Sequence, residues 1–336
     1  MKTLAREDRL LFALARRNFL EVHKERVITL CQSEVNWNQI YATASKHSVA
    51  PLLFSNLTRC PVEALSIPRF VLSEFRRSYQ LNVLTRKSLI SELVAVLKFF
   101  DSRRIDVMLT KGIAMDHLGY GGPDYVIGDV DLVVRRKKAD LTAKQREEIS
   151  EFRRGRPHFE IDYYRHHDLD MNGLLPICFD TVWRDAKKVS VNREQAWVMS
   201  NEDMLVAVCI NSCRKRFFRL KSLCDIAAIV GRGDLNWTLL IEKAKQYRCD
   251  MIVYSALVAT IMTVGCDVSD EVLDDLGVGL IWSALIRSLS NHLSFSCLSE
   301  LYSGFTFRGH QVGPALLLPY LCYGVNGLHR LARLTR

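Results

Sequence analysis

The sequence lacks the signals of export. Its ten cysteines form no CxxC pair and no adjacent Cys/His cluster, which speaks against a secreted disulfide framework and against a zinc finger. No Gly-x-Ser-x-Gly and no Walker A run occurs, so nucleophile-elbow hydrolases and P-loop enzymes receive no support. The first twenty residues carry Lys2, Arg6, Glu7, Asp8, Arg9, Arg16 and Arg17, which break up any apolar core of a signal peptide. Long hydrophobic runs are missing too. Val312 to Val325 falls short of the roughly 20 residues that a bilayer span requires and contains Pro314 and Pro319. These absences predict a cytoplasmic protein with no transmembrane segment. The apolar stretch reads as a buried helix pair, followed by a basic tail at Arg330, Arg333 and Arg336 suited to peripheral contact with anionic lipid. No internal repeat or low-complexity linker is present, so closely packed domains are expected.

What is present is a chain of 336 residues, 49% hydrophobic, with 46 basic and 37 acidic residues giving a net charge of +9. A surface of that sign favours polyanions such as nucleotides, nucleic acid or anionic lipid. Apolar residues recur at helical spacing through most of residues 1–100, as in Leu10, Leu11, Leu14 and Ala15 and again in Leu89, Leu93, Val96 and Leu97. Trp37, Ile40, Tyr41 and Ala44 predict a short amphipathic helix, and Pro51 the first turn of the next one. From Ile105 the pattern shifts to short β-like runs at Asp106 to Leu109, Gly128 to Val134 and Phe159 to Tyr164, with a basic helical segment at Ala139 to Arg154. Helical periodicity returns after Asn201. The expected organisation is an N-terminal helical region (1–100), an α/β core (101–198) and a C-terminal helical domain (199–336).

Chemistry concentrates in the core. Along Gly128-Asp129-Val130-Asp131-Leu132-Val133-Val134, alternation places Asp129 and Asp131 on one strand face and Val130, Leu132 and Val134 on the other. Two like charges so close repel, and a divalent cation held by both offsets that cost. Upstream, Val107 to Thr110 reads as a strand running through Lys111-Gly112 into a helix from Ile113 to about Leu118, a turn that brings backbone N–H groups and a point charge toward phosphate. Gly119, Gly121, Gly122 and Pro123 predict a mobile loop back to the acid strand. Two-metal displacement needs a further carboxylate. His158, Glu160 and Asp162 share one face of the third strand, and either acid qualifies. Cys209 and Cys213, one helical turn apart, read as core packing. His166 and His167 beside Asp168 and Asp170 allow a metal cluster but read better as a polar loop after the strand.

The run Leu109-Thr110-Lys111-Gly112, the Asp129-x-Asp131 strand and the later acid strand resemble the uncharacterised bacterial nucleotidyltransferase family of the DNA polymerase β superfamily. The similarity extends to Asn36-Trp37 through Asn56-Leu57, to Met199 through Leu205, and to Arg219 through Ile226, about residues 10 to 275. It implies an α+β fold: a small, antiparallel-leaning mixed sheet holding three acids, flanked by helical regions. It also implies an enzyme that moves a nucleoside monophosphate from a nucleoside triphosphate, ATP foremost, and releases pyrophosphate with Mg²⁺ or Mn²⁺ as cofactor. Asp129 and Asp131 are the expected catalytic metal ligands. Glu160 aligns with the family's third acid, while Asp162 stands where the family often has histidine. Lys111, Gly112 and Gly128 are the expected nucleotide contacts, joined by Arg219, Lys221 and Asp225. Read from the residues alone, Asp225 is first a capping or core ion pair with Arg219 or Lys221 and only second a cleft-facing position, and the basic cluster Arg214, Lys215, Arg216, Arg219 and Lys221 is a solvated helix face before it is a contact for triphosphate or an anionic acceptor. Tyr125 and Val126 stand where the family often carries an arginine. The acceptor, a hydroxyl or phosphate, is expected on a small molecule, peptide or protein before a nucleic-acid end, because no basic stripe interleaved with aromatic residues is evident. The rival reading is a catalytically inactive module of the same fold that binds nucleotide or RNA.

Overall fold

A computed structural model describes residues 4–171, 173–215 and 219–290. Arg216, the run from Val312 to Val325 and the tail arginines 330, 333 and 336 lie outside the described residues. In chain order the elements are α1 (Arg6–Leu14), α2 (Glu21–Cys31), α3 (Trp37–Lys46), α4 (Ala50–Leu57), α5 (Arg69–Asp101), β1 (Val107–Thr110), α6 (Lys111–His117), β2 (Val130–Val134), α7 (Ala143–Arg154), β3 (Phe159–Tyr163), α8 (Phe179–Asp185), β4 (Lys187–Val191) and β5 (Glu194–Val198). They continue with α9 (Asn201–Arg214), α10 (Leu220–Val230), α11 (Trp237–Gln246), α12 (Asp250–Met262), α13 (Asp270–Asp275) and α14 (Leu280–Ser290). The fold is α+β, and none of the described helices is long and apolar enough to cross a membrane.

The chain forms two compact units. One is wholly helical and takes residues 4–79, 208–234 and 249–290. Its core holds Leu10, Leu14, Phe19, Leu53, Phe75, Leu223, Ile226 and Leu257, all essentially inaccessible. Two local devices shape it, the second as the sequence suggests. The Asn36 side chain accepts a hydrogen bond from the Gln39 backbone and starts α3, and Pro51 sits in the first turn of α4. Asn56 Nδ2 donates to the carbonyls of Leu14 and Arg16, 2.8 Å each, satisfying the end of α1. Cys209 and Cys213 are buried thiols, as expected of packing residues.

The other unit, residues 80–207 and 235–248, carries the sheet. Strand order is β3-β2-β1-β5-β4. β1 runs antiparallel to β2 and β4 to β5, whereas β2–β3 and β1–β5 are parallel. The sheet is therefore evenly mixed rather than antiparallel-leaning. Val130, Leu132, Val134, Leu109 and Phe159 are all at most 1% exposed, so the three strands that carry the candidate residues share one apolar face. α6 packs on β1 and β2. The Phe99 ring of α5 stacks on Phe152 of α7 with centroids 4.0 Å apart, and Arg103 pairs with Glu148 at 2.9 Å.

Strands β4 and β5 escaped the sequence reading. They form a hairpin turned by Asn192 and Arg193, both at positive φ (48° and 80°), as a two-residue hairpin turn whose twist matches the strands demands. Asn-Arg lacks the glycine that normally marks such a turn. Lys187 and Lys188 on the outer strand provide the charge that blunts a sheet edge.

Candidate functional site

The register of the sheet gathers the acids. β2 begins at Val130, so Asp129 lies one residue before the strand, exposed, and Asp131 within it. Asp131 is paired across the ladder with Thr110 of β1 on one side and Glu160 of β3 on the other. Laterally paired residues project to the same face, so Asp131 and Glu160 are neighbours there, about 4.8 Å apart along the ladder. Asp162, two residues on, is paired with Val133 and shares that face. The two aspartates expected on one strand face differ in exposure: all five residues of β2 are buried and Asp131 is only 4% exposed, whereas Asp129 is exposed.

Burial decides the state of Asp131. Removal from water pushes its carboxyl up to about 6; Lys111 opposes that rise, and the neighbouring charge of Asp129 adds to it. Lys111 Nζ lies 2.8 Å from Asp131 Oδ1 and 2.8 Å from Asp168 Oδ2. Burial works to lower the ammonium's pKa, but the two carboxylates outweigh it and hold it above the ordinary lysine value. The other oxygen, Asp131 Oδ2, is buried and has no hydrogen-bond partner among the described residues. An anionic oxygen left bare in this way is costly.

The turn that carries Lys111 is less regular than a plain strand-to-helix junction. α6 spans seven residues, and Lys111 at its start has φ 51°, a left-handed conformation that costs a side-chain-bearing residue roughly 1–3 kcal/mol. Gly112 and Gly128 lack left-handed backbones. A Cβ at Gly112 would meet only the Tyr125 ring at 3.9 Å, and one at Gly128 would meet nothing within 4 Å. Packing does not demand glycine at either position.

The glycine-rich loop after α6, expected to be mobile, is tied down. Arg86 of α5 makes a bidentate pair with Asp116, whose side chain is 2% exposed, with contacts of 2.7 and 2.8 Å. Asn82 Nδ2 donates to the carbonyls of Pro123 and Tyr125, 3.0 Å each. Gly121 packs so closely on Asp116 that an added Cβ would lie 2.8 Å from its Cα.

Several participants were not assigned to the site by sequence reasoning. The segment after β3, read as a plain polar loop, folds back onto the acids. His166 Nδ1 lies 3.3 Å from Asp162 Oδ2, the His167 amide donates to the same oxygen at 3.1 Å, and Asp168 reaches Lys111. Burial would raise the Asp162 carboxyl, but the two histidines hold it below the ordinary aspartate range. The only signal was the run of His and Asp itself. Another grouping lies after β2, where Lys137 Nζ sits 5.4 Å from the centre of the Tyr164 ring and Lys138 Nζ 5.9 Å from that of Tyr163. These pairs join residues more than twenty apart in sequence, so no local stripe announced them.

Arg219, Lys221 and Asp225 belong to the helical unit. Lys221 Nζ donates to Asp225 Oδ2 at 2.8 Å, the ion pair that the residues themselves led one to expect for Asp225. Arg219 donates to Ser48 Oγ at 3.2 Å.

Among the described residues no three His, Cys, Asp or Glu side chains already converge as a metal cluster. Two of the candidate acids are instead engaged by cationic or donor groups, Asp131 by Lys111 and Asp162 by His166 and His167. The donor set nonetheless suits a hard divalent cation: carboxylate oxygens sharing one sheet face, one of them buried and unpaired. A family model described as uncharacterised nucleotidyltransferase matches residues 33–261, more than half of the chain. No curated protein and no solved structure matches it. The chain belongs to the uncharacterised nucleotidyltransferase family.

Proposed function

We propose that this member of the uncharacterised nucleotidyltransferase family transfers a nucleoside monophosphate from a nucleoside triphosphate, ATP foremost, to an acceptor hydroxyl or phosphate, with loss of pyrophosphate. The observation that carries this reading is Asp131. A buried carboxylate with a bare oxygen beside Glu160 is an expensive feature for a fold to keep, and phosphoryl chemistry gives it a use. Asp129 and Asp131 are the residues that would hold Mg²⁺ or Mn²⁺, in a two-metal arrangement completed by Glu160 or Asp162. Glu160 is favoured, because it is paired directly with Asp131 whereas both flanking histidines engage Asp162. Divalent cations there supply charge neutralisation for the triphosphate and activation of the acceptor oxygen.

The chain's own groups provide the remainder. Lys111 offers a positive charge to phosphate oxygens, and Gly112 and Gly128 admit the nucleotide close to backbone N–H groups. Positioning and electrostatic stabilisation then account for catalysis, since little covalent chemistry falls to the protein. The acceptor proposed is a small molecule, peptide or protein, and the compartment proposed is the cytoplasm. One observation favours a nucleic-acid acceptor as the second reading: Lys137 and Lys138 lie over tyrosine rings, in the sheet unit, a grouping suited to phosphate and base together.

Incubation with each α-labelled nucleoside triphosphate and Mg²⁺ or Mn²⁺, with a metabolite, protein or RNA fraction, tests both. Label moved by the intact protein and not by Asp129→Ala/Asp131→Ala supports transfer, and the labelled fraction identifies the acceptor class. Nucleotide binding that is equal in both proteins and independent of metal, without label transfer, assigns the protein to the inactive binding module.

A further inference from the structure

The Lys111 ammonium is shared. Its nitrogen lies 2.8 Å from Oδ1 of Asp131 and 2.8 Å from Oδ2 of Asp168, with side-chain exposures of 22% for Lys111, 5% for Asp131 and 32% for Asp168. The two carboxylates differ in what holds them. Asp131 is fixed in the central part of the sheet. Asp168 stands in a segment fastened at three points: the His167 amide donates to Asp162 Oδ2 at 3.1 Å, Arg165 pairs with the fully buried Asp170, and the Gly173 amide donates to Asp170 Oδ1 at 3.1 Å. The loop thus presents Asp168 to Lys111 from a built position.

A divalent cation at Asp131 and the ammonium compete for Oδ1, and their like charges repel at such a distance. The lysine stem has four flexible carbons, so its charge can shift while its backbone stays in place. We propose that Lys111 is an internal counter-ion which a divalent cation displaces from Asp131, and that Asp168 is the positioning residue that keeps the displaced ammonium paired at the site. This rests on the metal-site reading given above. Asp168 so lowers the cost of displacement, and Lys111 stays within the site to meet the triphosphate that arrives with the cation.

The assignment predicts effects of opposite sign on metal affinity, which loss of structure does not produce. The measurement is Mn²⁺ binding to the full chain without nucleotide, read from the electron paramagnetic resonance signal of free Mn²⁺, in mildly alkaline buffer that keeps Asp131 charged. Lys111→Met removes the competitor and tightens Mn²⁺ by about tenfold, the size of one charge-assisted hydrogen bond. Asp168→Asn leaves the ammonium on Asp131 alone and weakens Mn²⁺ several-fold. In the Lys111→Met background Asp168→Asn has no effect, because the partner it serves is gone. Unfolding melts of each variant confirm that a folded protein is being titrated. Unchanged or weaker binding in Lys111→Met, with binding still lost in Asp131→Asn, overturns the counter-ion role and leaves the metal site standing. Absence of any saturable binding that Asp131→Asn removes overturns both.

Discussion

Lys243 of α11 is 3% exposed, lies 2.6 Å from Asp203 Oδ2 and 3.0 Å from Asp185 Oδ2, and so binds α11 to α9 and to the end of α8 within the sheet unit. Asp203, 1% exposed, is also held by Ser200 Oγ at 3.0 Å and Tyr247 OH at 3.4 Å. Lys243→Met keeps the stem and deletes the charge, leaving Asp203 buried without its cation. Breaking a buried pair from one side costs about 3–5 kcal/mol. Asp203→Asn in the same chain removes the stranded charge while its amide can still meet Ser200 and Tyr247, so the double variant should recover about half of that loss. The assay is hydrogen exchange of amides in 201–207 and 235–248, which reads local opening without assuming that the two units unfold together. The sign of the pH dependence follows from the shifts. Asp203 and Asp185 outweigh burial and raise the Lys243 pKa above 10.5, so this contribution is complete below pH 10.5 and is lost as pH rises through the raised value. Asp185, held below 3.8 chiefly by its hydrogen bond from Arg184 and also by Lys243, contributes above pH 3.8 and ceases to do so as pH falls through its lowered value. Lys243→Met should remove the alkaline limb. A loss below about 1 kcal/mol, or an unchanged alkaline limb, refutes the reasoning.

Asp131→Asn should abolish nucleotidyl transfer while leaving the fold as stable or more stable, on the order of 1–3 kcal/mol, because a carboxyl raised to about 6 opposes folding when charged; a clear fall in melting temperature at neutral pH contradicts this. Arg86→Met strands the 2%-exposed Asp116 and should destabilise the sheet unit by about 3 kcal/mol in urea titration, a deficit that Arg86→Lys only partly restores because it loses the bidentate fork. Gly121→Ala forces a methyl onto the Asp116 backbone and should cost about 1–3 kcal/mol by thermal unfolding. Gly128→Ala meets open space, so its melting temperature should match that of the parent while KM for the triphosphate rises; a loss of stability without a KM effect assigns the glycine to folding.

The α+β organisation and three of the five strands were legible because short apolar runs between long helical periodicities have few other solutions. Trp37 and Pro51 sit where local pattern placed them, and Asp131 lies in the expected strand, with Asp129 one residue before it. The β4–β5 hairpin was not legible. Its turn is Asn192-Arg193 instead of a glycine pair, and Lys187 and Lys188 at the edge disguise the alternation. Burial of Asp131 was equally hidden. Alternation specifies which side chains share a face and says nothing of what covers it, and the covering groups come from α6 and from the segment after β3, twenty to forty residues away in sequence.

The same limit explains why the site was read only as a set of acids. Acids on a strand announce themselves by period two, whereas the groups that govern their charge arrive from loops whose sequences look merely polar: Lys111 on a strained turn, Asp168 and His166 on a segment held by Arg165 and Asp170. Those partners change what the acids are. Near neutral pH, loss of Lys111 would let burial beside Asp129 drive the Asp131 carboxyl further up, toward the neutral form that binds cations poorly, an effect that mildly alkaline buffer removes so that only the competition remains. With Lys111 fixed permanently to it, the carboxylate would be charged but occupied. A shared ammonium resolves the conflict, since it keeps Asp131 ionised and yet has Asp168 to fall back on. A lysine at a left-handed position, where glycine would cost less backbone strain, is intelligible on those terms.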